Sequence, residues 1–179
     1  TVAPGVQWAC ETRFELLPPR LIHLMKNSGC HHVRMGIETA DPAVLSEVGR
    51  IGSASSAGRH LDRATDTIAT LKENGILSVC FFMLGFPGDT LETAASIVEF
   101  VKKADPDVAL LNYAVPYIGT PLHHQMHSEG LVDIKDLTRY GSKAPVGRTR
   151  ALDAERVREL GGSIQKFFRE RNRQFYPIR

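Results

Sequence analysis

Residues 73–93 read ENGILSVCFFMLGFPGDTLET, and this stretch decides the fold class. Upstream of it, Leu61, Ala64, Ile68 and Leu71 recur at helical spacing, and Gly75 closes that helix. Ile76–Leu84 then runs almost wholly apolar, with Val79, Phe81 and Phe82 inside it. A strand apolar on both faces is expected in a parallel sheet covered by helices. GFPGDT follows. Asp89, with Glu92 three residues on, resembles a capping box and predicts a helix with Ala94, Ile97, Val98 and Val101 inward.

The same alternation extends both ways. Val6–Cys10 reads as a short strand, and Pro18–Pro19 open a helix that Gly29 stops. Val33–Ile37 is the next strand, followed by a short helix over Pro42–Val48 and a Gly/Ser-rich stretch, GRIGSASSAGR. Val108–Tyr113 is a further buried strand. The order β-α-β-α-β-α-β argues for a parallel α/β sheet, open or barrel-like. Four strands are too few to close an eight-stranded barrel. After Pro121 the repeat dissolves. Residues 128–152 read as loop, and Asp153 caps a last helix with Val157, Leu160, Ile164 and Phe167 inward, weakened by Gly161 and Gly162. Residues 1–122 thus form the strand–helix part, and residues 123–179 a C-terminal loop and helix extension.

Composition bounds the rest. The chain has 179 residues, 42% hydrophobic and 23% charged, which excludes disorder and fibre. Lys+Arg is 22 against Asp+Glu of 20, a net charge of +2, too balanced to point to nucleic acid or an anionic membrane. No apolar run approaches the roughly 20 residues of a membrane helix, and no signal peptide is visible. Cys10, Cys30 and Cys80 lie far apart without CxxC spacing. That fits unpaired thiols in a reducing cytoplasm and no metal site built from cysteine alone. The first residue is Thr, not Met, so a piece of a longer polypeptide is expected.

In parallel α/β sheets ligands bind at the carboxyl ends of the strands. Those ends carry Glu11, Thr12 and Arg13, then Glu38 and Thr39, then Gly85–Gly88, then Tyr113, Ala114 and Pro116. Two carboxylates and a glycine-rich turn therefore share one rim, although such carboxylates also cap helices and GFPG also serves as a plain turn. The glycine spacing is neither GxGxxG nor a P-loop, and no Lys-Ser/Thr follows. A turn that lets a flat ligand lie near the strand backbone reads better than a phosphate cradle. His123 and His127 stand at i and i+4, a spacing that can bind zinc. Without an HExxH glutamate, and just after Gly119–Pro121, they read as exposed surface. His31 and His32 read as a helix-to-strand turn, and Cys10 and Cys30 as buried thiols. Arg169, Arg171, Arg173 and Arg179, with Phe175 and Tyr176, could touch RNA, but Glu170 among them favours a solvated helix face.

Three segments carry a family resemblance. MGIETADPAVLSEVGR (35–50), ENGILSVCFFMLGFPGDTLET (73–93) and VPYIGTPL (115–122) resemble the latter part of a radical S-adenosylmethionine (radical SAM) enzyme. CETR (10–13) is similar to the preceding strand of the cobalamin-binding branch, and FFRERNRQFY (167–176) resembles that branch's closing helix. The resemblance implies the C-terminal half of a partial, TIM-type (β/α)6 barrel that holds a 4Fe–4S cluster, with SAM on the cluster's open iron. It implies that Glu11 meets the methionyl amino or ribose groups, that Glu38 meets the ribose and that Arg50 pairs with the methionyl carboxylate. Glu38 follows Glu11 by 27 residues and Arg50 follows Glu38 by 12, spacings that agree with the family. Met83, just before the Gly85 turn, matches an apolar residue against adenine, and the strand ending at Tyr113–Ala114 supplies backbone near the same ring. The chemistry agrees. SAM carries a sulfonium, an ammonium, a diol, a carboxylate and an apolar ring, and an Arg fork suits a carboxylate.

The family's cluster-binding CxxxCxxC and the glycine-rich segment after it are absent from these 179 residues. The cluster ligands, and any cobalamin domain, would lie outside this chain, in a longer enzyme. Alone, the chain would not reduce SAM. The parent would cleave SAM to a 5′-deoxyadenosyl radical and, if cobalamin takes part, would transfer a methyl group. A small-molecule or peptide substrate and an electron donor such as flavodoxin or ferredoxin are implied. No catalytic acid or base can be named; Tyr113 and Tyr117 are placed facing the cavity, with ordinary packing the alternative. Two rivals stand beside this reading: a SAM- or nucleotide-binding module without chemistry, and an unrelated metal-dependent hydrolase using His123 and His127. The edge of the first strand is expected to be exposed, with Trp8 partly uncovered.

Overall fold

A computed structural model describes residues 5–132 and 136–172 of the chain. Arg173, Phe175, Tyr176 and Arg179, with the end of the FFRERNRQFY match, lie outside the described residues. Four parallel strands form one sheet in the order β1-β2-β3-β4, with β1 Trp8–Thr12, β2 Cys30–Glu38, β3 Leu77–Leu84 and β4 Val108–Tyr113. Helices α1 (Pro19–Asn27), α3 (Ala57–Glu73) and α4 (Leu91–Ala104) make the crossovers, and α2 (Pro42–Glu47) precedes α3. Helices α5 (Pro121–Ser128) and α6 (Ala154–Arg171) follow β4. The expected α/β class, with parallel strands and a C-terminal helix, is present.

Alternation along the strands sorts residues between two unlike faces. Val33, Met35 and Ile37 of β2, Cys80, Phe82 and Leu84 of β3, and Ala109, Leu111 and Tyr113 of β4 join one core. That core is completed by Ile22 and Met25 of α1, Ile68 and Leu71 of α3, Ile97 and Val101 of α4, and Ile164 and Phe168 of α6. The opposite residues, among them Glu11, Arg34, Phe81, Met83, Leu110 and Asn112, are exposed or half-buried. Helices thus cover one face of the sheet only. A doubly wound sheet is covered on both faces, whereas a barrel wall keeps its helices outside. The apolar Val79, Phe81 and Met83 on the uncovered side belong to a barrel interior, which accounts for a β3 that reads as greasy throughout.

The two sheet edges differ. Asn172 closes the outer edge of β4, accepting from the Ala109 N–H at 3.2 Å and donating to its carbonyl at 2.8 Å. Gln165 donates to the Leu111 carbonyl, and the Ser142 carbonyl accepts the Tyr113 N–H at 2.8 Å. Unpaired strand groups template foreign pairing, and Gln165 of α6, Asn172 at its end and the Ser142 carbonyl occupy that edge here. Among the described residues no strand pairs with the outer edge of β1. Trp8 beside that edge is half-buried, its indole N–H given to the Ser28 carbonyl.

Several sequence expectations shift. Strand β2 starts at Cys30, because Trp8 pairs with Cys30 and Ala9 with His32; His31 and His32 are therefore strand residues, not turn. The cap of α4 is Thr90, whose hydroxyl accepts from Glu92 N and Thr93 N, while the Thr93 hydroxyl accepts from Thr90 N. Asp89 and Glu92 do not form that box. Residues 121–128 are helical because Thr120 caps and Pro121 occupies the first turn, a Thr-Pro start signal in what reads as exposed surface. Asp153 caps α6 as expected, but Phe168 rather than Phe167 is fully buried.

Gly161 and Gly162 prove unlike. A Cβ at Gly161 would overlap the Tyr113 phenol, whereas a Cβ at Gly162 would meet nothing within 4 Å. Gly161→Ala is expected to cost about 1–3 kcal/mol through overpacking. Gly162→Ala should add about 0.5–1 kcal/mol, the ordinary glycine penalty of a helix interior. Urea titration of the two variants checks the opposite signs.

Candidate functional site

The carboxyl ends of the strands open onto the uncovered face. A cavity of about 600 Å³ there is lined by Glu11, Thr12 and Arg13 of the first strand end, Gly36, Glu38 and Arg50, Phe81 and Met83 of β3, and Asn112 of β4. Four of the six predicted site residues, Glu11, Glu38, Arg50 and Met83, therefore meet around one space. Gly85 and Tyr113 do not line it. Tyr113 is 3% exposed, and its hydroxyl donates to the Arg158 carbonyl of α6. Its side chain faces the helices, contrary to the expected cavity position; alternation hands that position to Asn112. Tyr117 is 56% exposed and lines none of the described cavities.

The backbone bends to aim Glu38. The β2–β3 register slips between Gly36 and Glu38, and Glu38 has φ of +69°. A left-handed conformation is costly for a residue with a Cβ, and a bulge re-aims a side chain. A Cβ at position 36 would overlap the Glu38 carboxylate, so Gly36 is what lets that carboxylate fold back over the strand. Burial raises the Glu38 pKa, the Arg50 charge opposes the rise and Glu11 adds to it. Arg50 donates from Nη2 to the Gly36 carbonyl at 2.7 Å and stands 4.0 Å from Glu38 Oε1.

A second cavity of about 460 Å³ shares Glu38 and Arg50 and is otherwise lined by Glu47, Val48, Gly49, Phe86 and residues of the α5 start, Thr120, Pro121, Leu122 and Gln125. Sequence reasoning passed over Glu47 and Gln125, and placed Phe86 on the rim only as part of the Gly85–Gly88 turn. The residue after the Gly85 turn and the Thr-Pro helix start were the available signals.

The Gly85–Asp89 turn is held from within. Asp89 Oδ2 accepts from Gly85 N at 2.7 Å and from Phe86 N at 2.9 Å. Those amides are spent, so they offer nothing to a phosphate. Gly85 has φ of +103°, which favours glycine. Residues 147–152 clasp the turn from outside. Arg150 N donates to the Pro87 carbonyl and the Thr149 hydroxyl to the Asp89 carbonyl. The Arg150 guanidinium also joins Glu47 of α2 to Glu129.

Cys30 and Cys80 point into the helix-side core, and burial pushes their thiols up to about 11 and about 12. Iron–sulfur ligands are thiolates, so these buried thiols do not suit a cluster. His123 and His127 share a face of α5 with ring centroids 4.3 Å apart. Among the described residues no group of three His, Cys, Asp or Glu could hold a metal ion. Nor is any helix among them long and apolar enough to cross a membrane.

Residues 3–101 match the family described as the Radical SAM superfamily. The chain belongs to that superfamily. It is 28% identical over 155 residues to an uncharacterized methyltransferase of Pyrococcus horikoshii, covering 87% of this chain and 32% of the relative. It is 25% identical over 177 residues to the anaerobic magnesium-protoporphyrin IX monomethyl ester cyclase of Rubrivivax gelatinosus, covering 97% and 30%. The chain thus spans about a third of the length of these curated relatives. Among solved structures it resembles coproporphyrinogen III oxidase of Escherichia coli, a radical SAM enzyme, with a TM-score of 0.63, 14% identity, and 93% of this chain and 32% of that one covered. It also resembles a radical SAM methyltransferase of Kitasatospora setae, solved with cobalamin and a 4Fe–4S cluster, with a TM-score of 0.57, 20% identity, and 69% and 22% covered. At these identities the structures establish the radical SAM barrel fold for this chain.

The buried Asp89 has a measurable consequence. Burial pushes its pKa from 3.8 up to about 6, against the amides of Gly85 and Phe86 and the Thr93 hydroxyl. A carboxyl with a raised folded pKa favours the fold while protonated, and that contribution is lost as pH climbs from the unfolded to the folded value. Asp89→Asn keeps an acceptor for both amides and removes the titration. Relative to wild type, its stability is expected to rise by about 1–3 kcal/mol between roughly pH 4 and pH 7. Denaturant titrations of both proteins at the two pH values check it, and a pH-independent difference would contradict it.

Proposed function

We propose that this chain is the C-terminal portion of the barrel of a longer radical SAM enzyme, and that it holds S-adenosylmethionine in the cavity at the strand ends. The observation that carries this reading is the convergence of Glu11, Glu38, Arg50 and Met83 on one space of about 600 Å³. They come from three strands and from the segment after α2, and their chemistry divides as SAM requires. Glu11 and Glu38 offer acceptors for the ammonium and the ribose diol. Arg50 offers a fork for the carboxylate. Met83 and Phe81 offer an apolar wall for adenine, and the adjoining cavity with Phe86 and Leu122 leaves room beside it. The half-buried Glu38 and Arg50 stand where ion contacts are stronger than in open water.

When bound, SAM supplies the radical chemistry of the family. The protein's share is to hold the methionyl and ribose groups and to keep water from the strand ends. A 4Fe–4S cluster in this reading is held by residues outside the chain, since Cys10, Cys30 and Cys80 do not suit it, and a flavodoxin- or ferredoxin-like donor would feed it. Relatives named as methyltransferases support methyl transfer; in this reading the acceptor is a small molecule or a peptide, and cobalamin, if it takes part, is bound outside this chain.

Equilibrium binding of SAM to the natural polypeptide, purified without oxygen, tests the reading. Arg50→Ala should weaken SAM by about tenfold or more, the scale of a hydrogen bond to a charged group. Glu38→Gln should weaken it by roughly threefold to tenfold, since the amide keeps one acceptor and loses the charge. Unchanged affinity in both variants would overturn the assignment.

A further inference from the structure

A further cavity of about 420 Å³ runs along the outer edge of β4. It takes Leu110 and Asn112 from the site face of the strand, Phe168 and Arg169 from α6, and Ser142 and Lys143 from the segment before that helix. Asn112 also lines the cavity of about 600 Å³ at the strand ends, so the two spaces share a wall. The floor of the edge cavity is apolar. Leu110 is 38% exposed on the sheet face, and the buried Phe168 closes the helix side. Charge is divided unevenly between the two spaces. The strand-end cavity sets Arg13 and Arg50 against Glu11 and Glu38, whereas the edge cavity has Lys143 and Arg169 and no carboxylate. Both cations are exposed, and among the described residues neither side chain has an ion pair or a hydrogen bond. The Asn112 amide and the Ser142 hydroxyl are likewise without partners there. Glu170 follows Arg169 in the helix, but residues one apart do not face each other.

We propose that the edge cavity anchors the substrate, and that this substrate is a small organic anion, a carboxylate on an apolar body. The inference rests on SAM occupying the strand-end cavity, and it narrows the acceptor from a small molecule or a peptide to an anionic small molecule. The carboxylate sits between Lys143, a mobile point charge, and Arg169, whose fork can take both oxygens. Two unpaired cations draw an anion to this edge, while Glu11 and Glu38 repel it from the strand ends. The apolar body covers Leu110 and Phe168 and so removes greasy surface from water. Met83 pairs with Asn112 across β3 and β4, so a body that passes Asn112 meets Met83, the wall assigned to adenine. A peptide added as a further strand would need the free backbone groups of the edge. Asn172 already holds the Ala109 N–H and carbonyl, Gln165 the Leu111 carbonyl, and the Ser142 carbonyl the Tyr113 N–H. That occupancy favours a compact ligand.

Octanoate and the uncharged octanamide are the probes, titrated into the natural polypeptide purified without oxygen. Octanoate is expected to bind about tenfold more tightly than octanamide, the scale of a hydrogen bond to a charged group. Added salt should shrink that preference. Lys143→Glu combined with Arg169→Glu should abolish it, while SAM affinity changes by less than about twofold. Both positions are exposed and unbonded, so the fold is expected to persist. If it does not, Lys143→Gln with Arg169→Gln decides by loss of the same preference. With isotope-labelled methionine methyls, octanoate should shift the Met83 signal and leave Met25 and Met35 of the helix-side core in place. Equal affinity for the two probes, or a preference that survives the double variant, overturns the proposal. A preference that depends on Lys143 and Arg169 without a shift at Met83 overturns the substrate role, because the ligand then stops short of the cofactor. Arg50→Ala separates this proposal from the cofactor reading. Weakened SAM with octanoate binding retained supports both. Unchanged SAM affinity sinks the cofactor reading and the substrate role with it, whatever octanoate does.

Discussion

Strand β3 has to be apolar on both faces, and the rest of the molecule is arranged around that constraint. On the helix side Phe82 lies between Phe100 of α4 and Phe168 of α6, with ring centroids 6.0 and 5.7 Å away. On the other side Phe81 and Met83 form the floor of a cavity. The first contact ties the C-terminal helix to the sheet. The second places greasy surface next to Glu38 and Arg50, where it lowers the local dielectric and sharpens every charge contact. One strand thus ties the stability of the sheet to the electrostatics of the site.

The site itself depends on departures from regular geometry. A regular β2 would carry Glu38 on with the alternation of the strand, and the slip after Gly36 with the left-handed Glu38 breaks that alternation. Strain of this kind persists only where the surroundings over-determine it. Here the Gly36 carbonyl is anchored by Arg50, and the Glu38 carboxylate lies over the space a Cβ would take. The Gly85 turn is a second departure. Its positive φ is stabilised by a buried carboxylate that takes two successive amides, an arrangement that costs desolvation and returns a fixed loop.

Much of this was legible in the sequence, and the parts that were not share a cause. Hydrophobic runs and Gly/Pro punctuation mark all four strands and most of the helices, because burial and backbone geometry act locally. The family segments bring Glu11, Glu38, Arg50 and Met83 together because their spacing follows the βα repeat. Tyr113 failed as a cavity residue because one step along a strand reverses the face, and its phenol fills the space that Gly161 leaves in α6. Asp89 failed as a helix cap because its carboxylate turns back to its own loop, leaving Thr90 to cap. Arg150 carries no motif. Its partner Glu47 lies 103 residues away and is reached only through the fold.

The C-terminal segment extends the same logic to the rim of the second cavity. Arg150 bonds Glu47, whose Oε1 also accepts from Gln125 of α5 at 2.6 Å, and Glu129 holds the other side of the same guanidinium. A Cβ on Gly88 would overlap the Glu47 carboxylate, so the GFPG turn, α2 and α5 approach as closely as glycine allows. An exposed ion pair alone contributes little, because solvent and side-chain entropy offset it. A bidentate network anchored to backbone differs, since Arg150 N and the Thr149 hydroxyl also hold the Pro87 and Asp89 carbonyls. The loop that bears Phe86 is therefore fixed by Asp89 from inside and by residues 147–152 from outside. A rigid Phe86 gives the second cavity a defined wall before any ligand is present, and that wall stands on residues beyond the strand–helix repeat.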